Sequence, residues 1–173
     1  PLDGTTNFLN RFPFWGVSAG VLHRGIPVAG ALFIPSMTSL GGQVLRARAG
    51  GGAHLGDTPL RLTSDDGPSD LRLSAMPAYF WSQFRVRPEL RRKIGELRTT
   101  GSIAIELALA ASGALQFAAF GSPRIWDVAA GLLIVKEAMT APGGHHGLRI
   151  VDPPIVDVIE QPLVFPAGIS DFG

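Results

Sequence analysis

Two short runs of this sequence carry residues whose types and spacing could do chemistry. In Pro1-Leu2-Asp3-Gly4-Thr5-Thr6-Asn7-Phe8 a carboxylate stands immediately before a Gly-Thr-Thr turn. Gly4 permits backbone angles closed to other residues and lets a ligand approach closely. If Gly4 to Asn7 open a helical turn, the free N–H groups and the helix dipole form an anion cradle beside Asp3. Thr5 adds a hydroxyl at the same place. Carboxylate, amides and hydroxyl together could hold a metal ion, a phosphate and an attacking water. Asp followed by Gly and Thr is also common in ordinary turns and caps, and that simpler reading stands beside the first.

The second run is Ile125-Trp126-Asp127-Val128-Ala129-Ala130-Gly131. A charge in the first turn of so apolar a helix is costly unless paired or bound to a metal. The helix dipole favours Asp there, so a plain capping acid is the competing explanation. Ala129, Ala130 and Gly131 leave room for another backbone or a ligand, and Trp126 reads as a packing anchor.

The elements that must position these runs follow from the hydrophobic pattern. Trp15 to Leu22, a His23-Arg24-Gly25 turn, Ile26 to Ile34, Gln43 to Arg48, Ala53 to Leu55 and Leu60 to Thr63 predict a β-meander. Ser64 to Asp70 is polar, contains Gly and Pro, and reads as a boundary. Beyond it the pattern changes to strand–helix alternation. Leu71 to Met76 and Ala114 to Phe120 are strand-like. Pro88 to Leu97 reads as a helix with Pro at its first position and Leu90, Ile94 and Leu97 on one face. Ile103 to Ser112 is helical and apolar nearly all round, with Gly113 as its cap. Ile125 to Met139 is a second apolar helix, and Leu148 to Val151 and Leu163 to Phe165 complete the strands. A meander followed by such alternation predicts an α/β protein of layered helices and sheets.

Composition narrows the function classes. With 46% hydrophobic and 17% charged residues the chain is no disordered polypeptide. A net charge of +1 gives no electrostatic case for nucleic acid as partner. The basic stretch Arg85 to Arg92 with Lys93 reads as the wet face of a helix. Cysteine is absent, which excludes disulfides, thiol nucleophiles and thiolate metal sites. No apolar run reaches the roughly 18 residues that span a bilayer, so no membrane partner is expected. The default is a cytoplasmic protein. The opening at Pro1 and the uncapped end at Gly173 both predict a piece cut from a longer chain.

Taken together, the two runs resemble the signatures of the inositol-monophosphatase family: an Asp-Pro-(Ile/Leu)-Asp-Gly-Thr-Thr-Asn-Phe loop and a later Trp-Asp-x-Ala-Ala-Gly helix start. Gly101-Ser102, followed by an apolar helix and Ser112-Gly113, matches the intervening segment. The resemblance implies a layered α-β-α-β-α sandwich of the inositol-monophosphatase/fructose-bisphosphatase type, incomplete at its N-terminus. Residues 1–68 would be the remainder of an N-terminal α+β metal-binding unit and 69–173 a C-terminal α/β unit. The implied activity is Mg²⁺-dependent hydrolysis of a small phosphorylated alcohol or sugar, commonly by a homodimer. Asp3 and Asp127 would ligate one Mg²⁺, and the main-chain carbonyl of Leu2 would contact its neighbour. Thr5 would hold the attacking water, and the Gly4 and Thr5 amides the phosphate. Gly101, Ser102 and Ile103 would line the alcohol side, and none of the four His is needed. His145-His146 reads as a solvated loop pair.

The departures carry expectations too. The family's opening-loop Asp would fall one residue before Pro1, and an upstream metal-ligating Glu is also outside the sequence, so the fragment itself is expected to hydrolyse little. The missing helices would leave an apolar sheet face uncovered, predicting poor solubility. Phe120 stands where inositol-selective members place a Glu, and Gln116 replaces a common Asp. Arg124 could instead reach a second anionic group, which shifts the expected substrate toward a sugar bisphosphate, histidinol phosphate or nucleotide 3′-phosphate. The rival reading is a binding or regulatory protein that keeps the fold without the chemistry.

Overall fold

The computed structural model describes residues 1–36, 41–62, 69–83, 86, 88–121, 123–139, 148–150 and 163–165. Along the chain run β1 (Leu2–Asp3), α1 (Thr5–Leu9), β2 (Gly16–His23), β3 (Ile26–Pro35), β4 (Gly42–Arg48), β5 (Ala53–Leu55) and β6 (Thr58–Leu60). There follow β7 (Leu73–Ala75), α2 (Phe80–Gln83), α3 (Pro88–Arg91), β8 (Glu96–Arg98), α4 (Ile103–Ala111), β9 (Leu115–Ala119), α5 (Ile125–Met139), β10 (Leu148–Ile150) and β11 (Leu163–Phe165).

The first six strands form one antiparallel sheet in sequence order, a true meander. The second sheet has the order β10-β11-β9-β7-β8 and every described pairing in it is parallel. Parallel pairing requires crossovers: α2 and α3 lie between β7 and β8, and the apolar helices α4 and α5 lie in the connections before and after β9, covered on both sides as their all-round hydrophobicity demands. α5 lies along β2, β3 and β4, while α4 packs between α5 and β9. Gly30 makes that contact possible: a Cβ there would come within 2.8 Å of the Ala130 Cα. One buried cluster runs through all three layers, from Leu32 and Leu45 through Leu107, Val128 and Ile134 to Ala75 and Ala118. On the far side of the parallel sheet a smaller cluster joins Phe80, Val86 and Ile94 to Phe117 and Ala119. The described layers are therefore sheet, helix pair, sheet and short helices. On the outer face of the meander Val17, Val21 and Val44 are exposed, so the layer that would close an α-β-α-β-α sandwich is not among the described residues.

The structure corrects two predicted elements: the strand expected at Leu60 to Thr63 lies at Thr58–Leu60, where it pairs with β5, and the helix expected at Pro88 to Leu97 is cut short. Pro88 to Leu97 is not one helix: α3 ends at Arg91, and Glu96–Arg98 pairs with β7. The Glu96 N–H donates to the Arg72 carbonyl, so strand pairing takes the backbone groups that a longer helix would have used. Arg91, Arg92 and Lys93 are exposed, as a solvated face requires. The predicted boundary at Ser64–Asp70 and the His145-His146 pair lie largely or wholly outside the described residues.

Candidate active site

Gly4 turns the chain out of β1 and into α1. Its φ of 77° is left-handed, and a Cβ there would sit 2.8 Å from the Phe14 carbonyl oxygen, so only glycine fits. α1 begins at Thr5, as expected if Gly4 to Asn7 opens a helical turn, and Thr5 is exposed in its first turn. Asn7 ties this turn to a distant loop, its Nδ2 donating to the Phe14 carbonyl and, at 2.8 Å, to the Thr100 carbonyl.

That second loop, Thr100 to Ser102, precedes α4. Ser102 is the helix N-cap, its Oγ accepting the Ile105 N–H. The same hydroxyl donates to Asp3 Oδ2 at 2.8 Å, and the Ala104 N–H donates to that oxygen at 2.7 Å. Asp3 Oδ1 accepts the Gly4 N–H at 2.9 Å. A carboxylate has about four lone-pair sites. These donors fill three of them, so Asp3 is fixed in orientation and keeps one site on Oδ1.

Asp127 stands at the start of α5 in a different condition. Its Oδ2 accepts the Arg124 N–H at 3.1 Å, half of a capping box. The capping role considered from sequence is therefore real. Burial nonetheless pushes this carboxyl above its ordinary value. The Arg124 N–H pulls it down, the Asp3 charge pushes it up again, and the Arg124 charge opposes that. Asp3 and Asp127, 124 positions apart in sequence, are near enough to repel each other.

The other expected contacts divide. Gly101 is exposed and Ile103 half-buried, while Ser102 is buried with its hydroxyl on Asp3. The Gly4 amide, expected on phosphate, donates to Asp3. Leu2 is in β1, paired with Val17. Arg124 is exposed, its guanidinium carbon 5.6 Å from the centre of the Trp126 ring. Trp126 is not a packing anchor: it is 53% exposed, because α5 buries its residues only from Val128 onward. Gln116 is the extra residue of a bulge between Leu73↔Leu115 and Ser74↔Phe117. Its amide is occupied by the Ser69 N–H and the carbonyls of Ser69 and Lys93. Phe120 belongs to the buried core.

Three residues of the site had gone unread: Asn7, Thr100 and Glu106. Glu106 is 5% exposed inside α4, and both the N–H and the hydroxyl of Thr100 donate to its Oε1 at 3.1 and 2.8 Å. Burial raises its pKa and the Asp3 charge adds to that, while the bonds from Thr100 lower it. A carboxylate in so apolar a helix was the available signal.

The two-sheet α/β fold thus brings a rigidly held Asp and a second, repelled Asp to the starts of two helices, groups that could take part in holding a hard cation. The donor set suits such a cation, since Asp3, Asp127 and the Leu2 carbonyl are all oxygen and Asp3 keeps an open lone pair. Among the described residues no group of three or more His, Cys, Asp or Glu gathers, so these groups alone would supply at most part of a coordination sphere. No described helix is long and apolar enough to cross a membrane.

Comparison with known proteins gives the family. The chain belongs to the inositol monophosphatase family, whose model matches residues 1–146. It is 34% identical over 145 residues to the inositol-1-monophosphatase of Rhizobium meliloti (strain 1021), covering 80% of this chain and 52% of that protein. It is 33% identical over 156 residues to the Nus factor SuhB of Escherichia coli (strain K12), covering 84% and 57%. Among solved structures, SaIMPase-II bound to inositol monophosphate superposes with a TM-score of 0.65 at 26% identity, covering 80% of this chain and 54% of that one. The chain thus spans about half the length of the relatives it matches, and the layered fold is theirs.

Proposed function

We propose that the protein is a Mg²⁺-dependent phosphomonoesterase acting on a small phosphate ester, an inositol phosphate or a related sugar or alcohol phosphate. The observation that carries this is the Asp3–Asp127 pair: two carboxylates from distant segments, near enough for the Asp3 charge to oppose ionisation of Asp127, with Asp3 held open-sided by three donors. Repulsion of this kind costs stability unless a cation relieves it. An Mg²⁺ held by these carboxylates would supply charge neutralisation and activation of water.

The chain's own groups have distinct tasks in this reading. Asp3 and Asp127 would hold the ion, and the Leu2 carbonyl would contribute to a second. Ser102 and the start of α4 fix the Asp3 oxygens. Thr5, exposed in the first turn of α1, orients the attacking water, and the amides of that turn face the phosphate. Gly101 and Ile103 border the alcohol. Phe120 lies in the core and Gln116 is occupied by backbone, so neither meets substrate hydroxyls. Exposed Arg124 is the group left to meet a second anion, which supports a bisphosphate or nucleotide phosphate over plain inositol phosphate. On this reading the protein works in the cytoplasm as a homodimer, without nucleic-acid or membrane partners.

The test is phosphate release by the natural-length protein across a panel of esters, with and without Mg²⁺, beside Asp127→Asn. Mg²⁺-dependent release that disappears in the variant supports the reading. A second reading, a binding or regulatory protein on the same fold, draws on the Nus factor name of a relative. Folded natural-length protein that releases no phosphate from any ester would establish the second over the first.

A further inference from the structure

Glu106 is the most deeply buried acid in the site region, and no role in holding substrate or cation falls to it. Its surroundings are an apolar helix, where an unpartnered carboxylate would be strongly destabilising. Among the described residues its side chain accepts hydrogen bonds from Thr100, two of them at the same oxygen.

Thr100 is held on its remaining side as well, since its carbonyl accepts Asn7 Nδ2. A hydroxyl has one proton to give. The Thr100 hydroxyl lies 2.8 Å from Glu106 Oε1 and 3.1 Å from the Ser102 carbonyl. The shorter contact, to a carboxyl oxygen, takes the proton, and the Thr100 Oγ then accepts the Ser102 N–H at 3.2 Å. The result is a directed chain: Ser102 N–H to Thr100 Oγ, Thr100 O–H to Glu106 Oε1, with Ser102 Oγ–H turned the other way onto Asp3 Oδ2.

The geometry points to Glu106 as a positioning residue for Asp3, acting through Thr100 to set the Thr100–Ser102 turn that aims the Ser102 hydroxyl and the Ala104 N–H at one Asp3 oxygen. This keeps Oδ1 as the side open to a cation. Only the Mg²⁺ consequence rests on the proposed function; the aim of the two donors does not.

Groups that orient a metal-ligating side chain typically change metal affinity by about 10–100-fold when removed. Glu106→Gln keeps an oxygen able to accept both Thr100 bonds and leaves the Ala104 amide and the Mg²⁺ affinity as in the wild type. Glu106→Leu and Thr100→Val each break the chain, and the double variant is no worse than the single ones. Two readouts follow on the natural-length protein. The first is the Ala104 amide proton, whose short bond to a carboxylate holds it downfield: it moves upfield in Glu106→Leu and Thr100→Val and stays put in Glu106→Gln. The second is Mg²⁺ affinity by calorimetry, reduced about tenfold in the same two variants. An Ala104 amide unmoved in folded Glu106→Leu overturns the inference. If Glu106→Leu does not fold, Thr100→Val decides, and an unmoved Ala104 amide there overturns it equally. If no form binds Mg²⁺ while the amide shifts as described, the positioning role stands and the proposed phosphatase reading fails.

Discussion

The starts of α4 and α5 put the same side chain under opposite conditions. At α4, Asp3 reaches in from another strand and is met by the Gly4 and Ala104 amides and the Ser102 hydroxyl. At α5, Asp127 belongs to the helix it caps, accepts one backbone N–H, and is pushed toward its neutral form by burial and by the Asp3 charge. The first carboxylate is oriented by the protein alone. The second is left with a deficit that a cation would remove. A small hard cation favours oxygen ligands in a defined geometry, and the first carboxylate would supply the fixed geometry while the second would gain most from the charge.

Perturbations should separate the two. The largest effect on stability is expected from Gly4→Ala, which forces a left-handed residue and places a Cβ 2.8 Å from the Phe14 carbonyl; a loss of about 3 kcal/mol in denaturant melts is the prediction. Asp3→Ala strands three donors and should lose about 2 kcal/mol in the same experiment. Asp127→Asn should go the other way. It removes a charge disfavoured by burial and by Asp3 and leaves an oxygen for the Arg124 N–H, so its melting temperature without added metal should equal or exceed that of the wild type. A clear drop would break the comparison.

The smallest effect is a pH dependence. The Glu106 carboxyl titrates above 4.5 in the folded chain, so between that value and its folded value the native state keeps a proton that the unfolded chain has released. Its contribution therefore favours folding at low pH and is lost as pH rises through that interval. Glu106→Gln removes the term. The melting-temperature difference, variant minus wild type, should widen in favour of the variant from pH 4.5 upward and then level off. A difference independent of pH would contradict the assignment.

How much of this was legible in the sequence depends on whether one residue type has one use. The meander was readable because apolar runs separated by Gly-containing turns have few alternatives, and α4 and α5 because their hydrophobicity continues for many residues. The Pro88–Leu97 helix was misread because Leu90, Ile94 and Leu97 fit a helical period, while the pairing of Glu96–Arg98 with β7 is set by partners remote in sequence. Asp3 and Asp127 could be singled out by their local setting, but not the saturation of one and the deficit of the other. Those depend on Ser102 and Ala104, roughly a hundred residues from Asp3. Trp126 misled for a related reason, since a Trp in an apolar helix usually packs inward and this one lies in the exposed first turn. Glu106 was visible as an acid in an apolar helix, and only its two bonds to Thr100 say what it does there.

The central claim is that Asp3 and Asp127 share one cation. Mg²⁺ titration of natural-length wild-type and Asp127→Asn protein by calorimetry, on samples first shown to melt alike, tests it most directly. The account predicts a saturable wild-type isotherm and a loss in the variant beyond the roughly 100-fold that removal of a merely orienting group would cause. A variant that binds Mg²⁺ as the wild type does would contradict it.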